Sequence, residues 1–480
     1  MQFTLPLSRG AGPLHRQIYS GLRNAMLSGK LAPGARLPST RDLAEQLAVS
    51  RSIVLEAYDQ LLAEGYIVGR SGSGTFVAQG LLKRFVHSKQ SAELRLSAFG
   101  TAAAHTAAAL RAREQKTRHR YDFKFGGSES DLETFPFEQW QRLLTRQARR
   151  APASHFDYGP ASGNPALREA ICEHLRRSRA VVCDPSEVIV VNGSQQGLDL
   201  IARVLLERGD RVAVENPSYQ GTLEILLAAG AYLLPVPVDR NGLNPDRLPR
   251  EARLCFVTPS HQFPTGAILP LPRRLALLEW ANRTNSVIVE DDYDGEFHYE
   301  GQPLESLQGL DRNGRVIYAG TFSRTVFPSL RLGYLVVPRS LVSVFAGAKW
   351  LNDQHSAALE QQTLAEFIAS GAYERHLRRL RRRNSVRREA LLTSFEEYLR
   401  GHVELTGSKA GAHVALWLKG RCRESSLIAA AAERGVGVYG MARYFLTKPS
   451  RPGVLLGYSR MRESEIHEGI RRLCEALESI

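Results

Sequence analysis

Apolar residues from Pro13 to Ser28 fall at Leu14, Ile18, Leu22, Ala25 and Met26, the spacing of one helix face. The segment GKLAPGARLP, with two glycines and two prolines, then breaks the pattern. Ser39 is placed to cap a second helix, with Asp42 as the capping-box acid and Leu43, Ala44 and Leu47 as its apolar face. After a turn at Ala48 and Val49, Ser50 is placed to cap a third helix. Val54, Ala57, Tyr58, Leu61 and Leu62 face inward on it, and Gly65 stops it. Tyr66–Val68 and Thr75–Val77 flank GRSGSG and predict two short strands around a glycine-rich tip.

From Tyr121 onward the pattern changes to alternating strands and helices. EVIVV precedes GSQQGLDLIARVLL, DRVAVE precedes a helix from Tyr219 to Ala229, and LCFVT precedes RRLALLEWANR. SVIVE, RVIYA and LRLGYLVVP follow. That alternation predicts an α/β domain with a largely parallel sheet. The opening three helices and hairpin predict a small α+β winged helix-turn-helix. The expected organisation is therefore a head at 11–80, a linker at 81–120 and a body at 121–480.

Charge supports the same division. The chain of 480 residues carries a net charge of +14. Residues 81–120 hold 9 basic and 2 acidic residues, half of that excess, with an alanine-rich stretch and little regular apolar pattern. This reads as a basic interdomain linker that can touch phosphate without reading sequence. No apolar run reaches the roughly 18 residues of a membrane span, and the N-terminus has no charged segment leading into an apolar one. The five cysteines share no C-x-x-C spacing, and the histidines have no metal-ligand spacing, so no metal is expected. The expected setting is the cytoplasm.

Two regions carry candidate chemistry. In a winged helix-turn-helix the start of the recognition helix enters the major groove, which exposes Ser50, Arg51, Ser52 and Ile53 to DNA. Arg41, Arg70 and Gly72 are placed to meet phosphate or minor groove. In the body, ligands bind beyond the carboxyl ends of strands. Those ends carry Asn192-Gly193-Ser194-Gln195, Pro217-Ser218-Tyr219, Glu290-Asp291-Asp292-Tyr293 and Gly320-Thr321-Phe322-Ser323-Arg324, with Arg331 beyond. Hydroxyls, arginines and a helix start suit phosphate. A further run, Arg375 to Arg388, holds eight arginines in fourteen residues and reads as a solvated or interface helix, with a second DNA-facing stripe as the alternative. Trp140, Trp280, Trp350 and Trp417 read as core or interface residues.

LPSTRDLAEQLAVSRSIVLEAYDQLLAEGY resembles the DNA-binding domain of the GntR regulators. TPSHQFPTG, EDDYDGEF and GTFSRTVFPSLRLGY resemble fold type I aminotransferases, which bind pyridoxal 5'-phosphate. Together the chain resembles the MocR subfamily. The resemblance implies that Asp291 pairs with the pyridine nitrogen, Tyr293 bonds the phenolic oxygen, and Tyr219 lies over the ring. Ser194, Gln195, Thr321, Ser323 and Arg331 would hold the phosphate. It also implies that Arg324 occupies the position of the Schiff-base lysine, and that Leu455 stands where aminotransferases keep a carboxylate-binding arginine. A guanidinium stays charged and is no amine nucleophile.

The expectation is thus a transcriptional regulator with no catalytic residue, binding operator DNA and a small-molecule effector as a head-to-tail homodimer. Pyridoxal or pyridoxamine 5'-phosphate would bind it non-covalently or not at all. Two alternatives stay open: an aminotransferase with an accessory DNA-binding domain, and a cofactor-free regulator whose body only dimerises.

Overall fold

The computed structural model describes residues 5–8, 10, 12–79, 95–117, 121–126, 129–150, 152, 157–299, 305–420 and 422–480. The chain divides into two compact units, Met1–Arg95 and Leu96–Ile480.

In the first unit, helices α1 (Leu14–Leu27), α2 (Thr40–Gln46) and α3 (Arg51–Ala63) precede strands β1 (Ile67–Arg70) and β2 (Gly74–Val77). Ile18, Leu22, Met26, Leu43, Val54, Ala57, Tyr58 and Leu61 form its core, as their helical spacing predicts. Leu62 does not join them and is half exposed, being one step of about 100° round the helix from Leu61. The Ser39 hydroxyl accepts the Asp42 amide at 3.1 Å, as expected of a cap. Ser50 begins α3 without a capping bond, because its hydroxyl pairs with Ser52 at 2.9 Å. The wing pairs Ile67 with Val77 and Arg70 with Gly74. Leu37 donates to the Thr75 carbonyl and Val77 to that of Ala35, so the segment before α2 edges the hairpin.

The second unit opens with α4 (Ala98–Thr117). Within the expected linker, residues 98–117 form this helix. Alanine has the highest intrinsic helix propensity, so TAAAHTAAAL is helical without any apolar face. Phe99 on α4 takes the Arg203 guanidinium at 5.9 Å, which ties the helix to the body. Residues 80–94 and 118–120 lie outside the described residues. After β3 (Phe123–Lys124), α5 (Phe137–Arg150) and α6 (Pro165–Arg179), the main α/β layer runs through β4 (Val188–Val191), α7 (Ser194–Leu205), β5 (Arg211–Asn216), α8 (Gln220–Ala228), β6 (Tyr232–Asp239), β7 (Gly242–Leu243), β8 (Leu254–Val257), α9 (Leu271–Thr284), β9 (Val287–Asp292), α10 (Leu307–Leu310), β10 (Val316–Thr321) and β11 (Gly333–Val336).

The sheet order is β4-β11-β10-β9-β8-β5-β6-β7. β5, β6, β8, β9 and β10 are parallel, whereas β11 runs antiparallel to β10 and β4, and β7 to β6. Continuous apolar strands such as VIVV and LCFV are buried throughout, as a sheet covered on both faces requires. Helices α11 (Val342–Asp353), α12 (Ala358–Ala369) and α13 (Ala372–Ser394) follow. A smaller layer closes the chain: β12 (Val403–Thr406), β13 (His413–Leu418), α14 (Glu424–Glu433), β14 (Val436–Gly437), β15 (Tyr439–Gly440), β16 (Gly453–Gly457) and α15 (Glu463–Glu478). Its sheet order is β12-β13-β16-β15. Among the described residues no helix is long and apolar enough to cross a membrane.

Candidate functional site

The first unit exposes all but one of the residues that its sequence assigns to DNA; Ile53 packs against the core instead. Arg41, Ser50, Arg51, Ser52, Arg70 and Gly72 are all exposed, and Ile53 is half buried. Arg51 Nε donates to Thr40 Oγ1 at 3.3 Å, linking the starts of α3 and α2. Arg70 lies 4.9 Å from the Phe76 ring, and Gly72 at the wing tip adopts φ +69°. An unpaired guanidinium at a helix start can read a base edge, and one on a hairpin can meet phosphate.

In the second unit, strand ends far apart in sequence surround one cavity of about 360 Å³. Ser194, Gln195, Tyr219, Asp291, Tyr293, Thr321, Ser323, Arg324 and Arg331 all line it. Ser194 and Gln195 open α7 directly after β4, with free backbone N–H groups at that helix start. Thr321 ends β10, and its hydroxyl accepts the Ser323 amide at 3.1 Å. Arg331 adopts φ +53° and donates to the Asn192 carbonyl at 3.2 Å. Gly193 beside it adopts φ +81°, a conformation that favours glycine, and a Cβ there would also displace the guanidinium, which lies 2.5 Å away. Gly221 serves Tyr219 in the same way: a Cβ would lie 2.5 Å from that ring.

The acidic run at the end of β9 shows how strand parity sorts three carboxylates. Glu290 accepts the amides of Leu307 and Gln308 and caps α10 from below. Asp292 accepts Arg179 Nε at 2.7 Å and the Tyr318 hydroxyl. Asp291, on the opposite face, points into the cavity, and its Oδ1 is buried with no hydrogen-bond partner. Burial, then the charges of Asp292 and Asp294, push its carboxyl up to about 7, while Arg324 pulls the other way. An unsatisfied buried acceptor of this kind is costly unless a ligand donor or cation meets it. A protonated pyridine nitrogen is such a donor, so the residues present fit a pyridoxal-type group.

The remaining wall is aromatic and cationic. Tyr293 donates to the His261 carbonyl at 3.0 Å, and its hydroxyl lies 3.1 Å from His261 Nδ1. Arg324 lies 6.0 Å from the Tyr293 ring centroid. Tyr219 meets Phe263 edge-on at 5.8 Å. Four lining residues were not foreseen: Ser130, Thr258, Phe263 and Pro328. Ser130 donates to the Ser323 carbonyl from a segment 193 residues away, a relation without sequence signal. The fold also brings His261, Asp294 and His413 together, a cluster of potential ligand atoms that spacing along the chain cannot show.

Lys349 is not among the lining residues. It is fully buried and paired with Asp353 at 2.5 Å. The other Asp353 oxygen accepts Asn192 Nδ2 and Gln196 Nε2, so this pair braces the turn before α7 from behind. Leu455 is buried among Phe263, Ala415, Trp417, Met441 and Tyr444, and Arg451 is held by Glu404 above the Trp417 ring. Trp140, Trp280 and Trp417 are buried, and Trp350 is exposed.

Comparison with known proteins matches both units. Residues 14–77 match the bacterial regulatory proteins of the gntR family, and residues 126–473 match aminotransferase class I and II. A probable rhizopine catabolism regulatory protein, MocR, of Rhizobium meliloti is 40% identical over 98% of this chain and 95% of its own. The HTH-type transcriptional regulator TauR of Rhodobacter capsulatus is 34% identical over 98% of this chain and 97% of its own. The kynurenine aminotransferase of Pyrococcus horikoshii superposes with a TM-score of 0.72 at 27% identity, covering 83% of this chain and 98% of that one. With a gntR head, a fold type I aminotransferase-like body and full-length kinship to such regulators, the chain belongs to the MocR-type transcriptional regulators of the GntR family.

Proposed function

We propose that this regulator reads operator DNA with Arg51 and its neighbours and senses a small molecule in the cavity around Asp291, without transaminating it. The observation that carries the reading is Arg324 inside a cavity whose other lining residues suit a vitamin B6 phosphate. Such a cofactor, when bound, supplies an electron-withdrawing ring to an amine or carbonyl ligand. Asp291 would hold the ring nitrogen, Tyr219 and Tyr293 its faces and phenolic oxygen, and Ser194, Gln195, Thr321, Ser323 and Arg331 the phosphate. Arg324 keeps its charge and offers no neutral amine, so binding is non-covalent and the amine form is accommodated as readily as the aldehyde.

The regulator acts as a head-to-tail homodimer in this reading, with its two heads on paired half-sites in the cytoplasm. Trp350, Leu351 and Tyr158 on the body, at 59%, 80% and 79% exposure, are apolar side chains that a subunit face would cover, which supports this reading.

The test is reduction with borohydride after adding pyridoxal 5'-phosphate, followed by peptide mass analysis. No stable adduct is expected on a residue lining the cavity, none of which is a lysine, and calorimetry is expected to show reversible binding of pyridoxal or pyridoxamine 5'-phosphate. A stable adduct on Lys349 would overturn the non-covalent reading. Absence of any heat of binding would favour a body that serves only as a dimerisation scaffold.

A further inference from the structure

The arginine run of α13 is two different things on its two faces. Arg387 is buried and ion-paired with Asp131 at 2.7 Å. Arg381 pairs with Glu296, Arg383 with Glu133, and Arg388 donates to the Ser408 carbonyl. These four fasten the helix to the body. The other four, Arg375, Arg378, Arg379 and Arg382, are all exposed. Their spacing of three to four residues places them in one stripe, about 10 Å from first to last along the axis. Among the described residues none of them has a carboxylate at ion-pair distance. Glu374, the acid nearest in sequence, lies 3.8 Å from Arg381 instead.

Overall charge does not account for this stripe. Residues 121–480 carry 46 basic and 42 acidic residues, so the body is close to neutral. Four like charges on adjacent turns repel one another and are retained at a small cost to the helix. A polyanion removes that repulsion. Guanidinium forks match phosphate oxygens bidentately, so a stripe of four suits a phosphate backbone.

We propose that this α13 stripe is a second DNA-binding surface, carried by the aminotransferase-like body, that grips the phosphate backbone of duplex DNA without reading its sequence. The proposal rests on the regulator reading only for the presence of DNA; the specific contacts belong to the head. Body contacts of this kind lengthen the footprint beyond the half-sites and make affinity more sensitive to salt.

The test compares the full-length protein with R375Q/R378Q/R379Q/R382Q, by anisotropy titration of a long promoter duplex at several salt concentrations. Glutamine keeps helix propensity and side-chain length while removing charge. If all four contact phosphate, the slope of log affinity against log salt falls by up to about 3.6 for each protomer whose stripe meets the duplex, and preference for operator over scrambled duplex stays unchanged. Circular dichroism and light scattering accompany the titration. An unchanged salt slope in a folded variant of unchanged mass overturns the proposal. A change from dimer to monomer also overturns it, because the stripe is then a subunit face. Loss of operator preference in Arg51→Ala, with the stripe's salt effect intact, would separate failure of either assignment from the other.

Discussion

Arg51 and Arg324 are the residues on which the functional reading turns, and each yields a direct prediction. Arg51 opens the recognition helix with its guanidinium exposed and only a long bond to Thr40. Arg51→Ala is expected to cost about 1–3 kcal/mol of operator binding and to relax preference at one base position. A mobility-shift titration on the native promoter checks this; unchanged affinity would remove the residue from the interface. Arg324→Lys restores a side chain that can lose its proton. That variant is expected to gain, with pyridoxal 5'-phosphate, a visible absorbance band and a borohydride-stable adduct at position 324 that the parent lacks. If the band fails to appear although the variant binds the cofactor, the pocket holds the aldehyde out of reach of position 324.

Arg51 is legible from its place at the start of the third helix, after the turn at Ala48 and Val49; Arg324 is legible as a strand-end residue, and its standing at the lysine position only through the resemblance to the aminotransferases. Ser130, Thr258 and Phe263 were not legible, because their place in the wall depends on tertiary packing across long separations. Lys349 carried no local mark of burial either, since an i,i+4 pair with Asp353 on a helix usually faces solvent.

At the scale of elements, strand parity in β9 governs both the site and its pH response. Asp291 and Glu290 sit on successive residues, so one faces the cavity and the other the α10 turn. Burial raises both carboxyls to about 7. In the unfolded chain Asp291 gives up its proton near 3.8, while in the folded protein it keeps it until about 7. Between those values the unfolded state binds fewer protons, so this group makes stability fall as pH rises, with the loss complete above about 7. Asp291→Asn removes that contribution. Urea midpoints measured from pH 5 to 7.5 are expected to drop less in the variant than in the ligand-free parent, and equal drops would place the titration elsewhere. The helix α4 teaches the opposite lesson about legibility. Its alanines favour a helix by propensity, with Phe99 tied to Arg203, and a search for apolar periodicity reads such a segment as spacer.

For the whole molecule, two units with different chemistry share one chain, and the sequence between them is strongly basic. Arg111 is exposed on α4, and the rest of the basic cluster continues toward residue 120. Neutralising Arg111, Arg113, Lys116, Arg118 and Arg120 together is expected to flatten the salt dependence of DNA binding while sequence preference stays intact. An unchanged slope in fluorescence titrations would make this region a spacer alone. The division into head and body was legible from the switch in apolar periodicity, whereas the boundary was not. The break falls at Arg95/Leu96, because α4 packs with the body that follows it.

The central claim is that the body senses a ligand on behalf of the head, and it is tested most directly by one titration. Operator affinity of the full-length protein is measured by anisotropy with the cavity empty and with it saturated by pyridoxamine 5'-phosphate, saturation being set from calorimetry. The operator Kd is expected to differ severalfold between the two states, since a sensed ligand must bind the DNA-competent and DNA-incompetent forms unequally. An operator Kd that is the same in both states, with the cavity demonstrably filled, would contradict it.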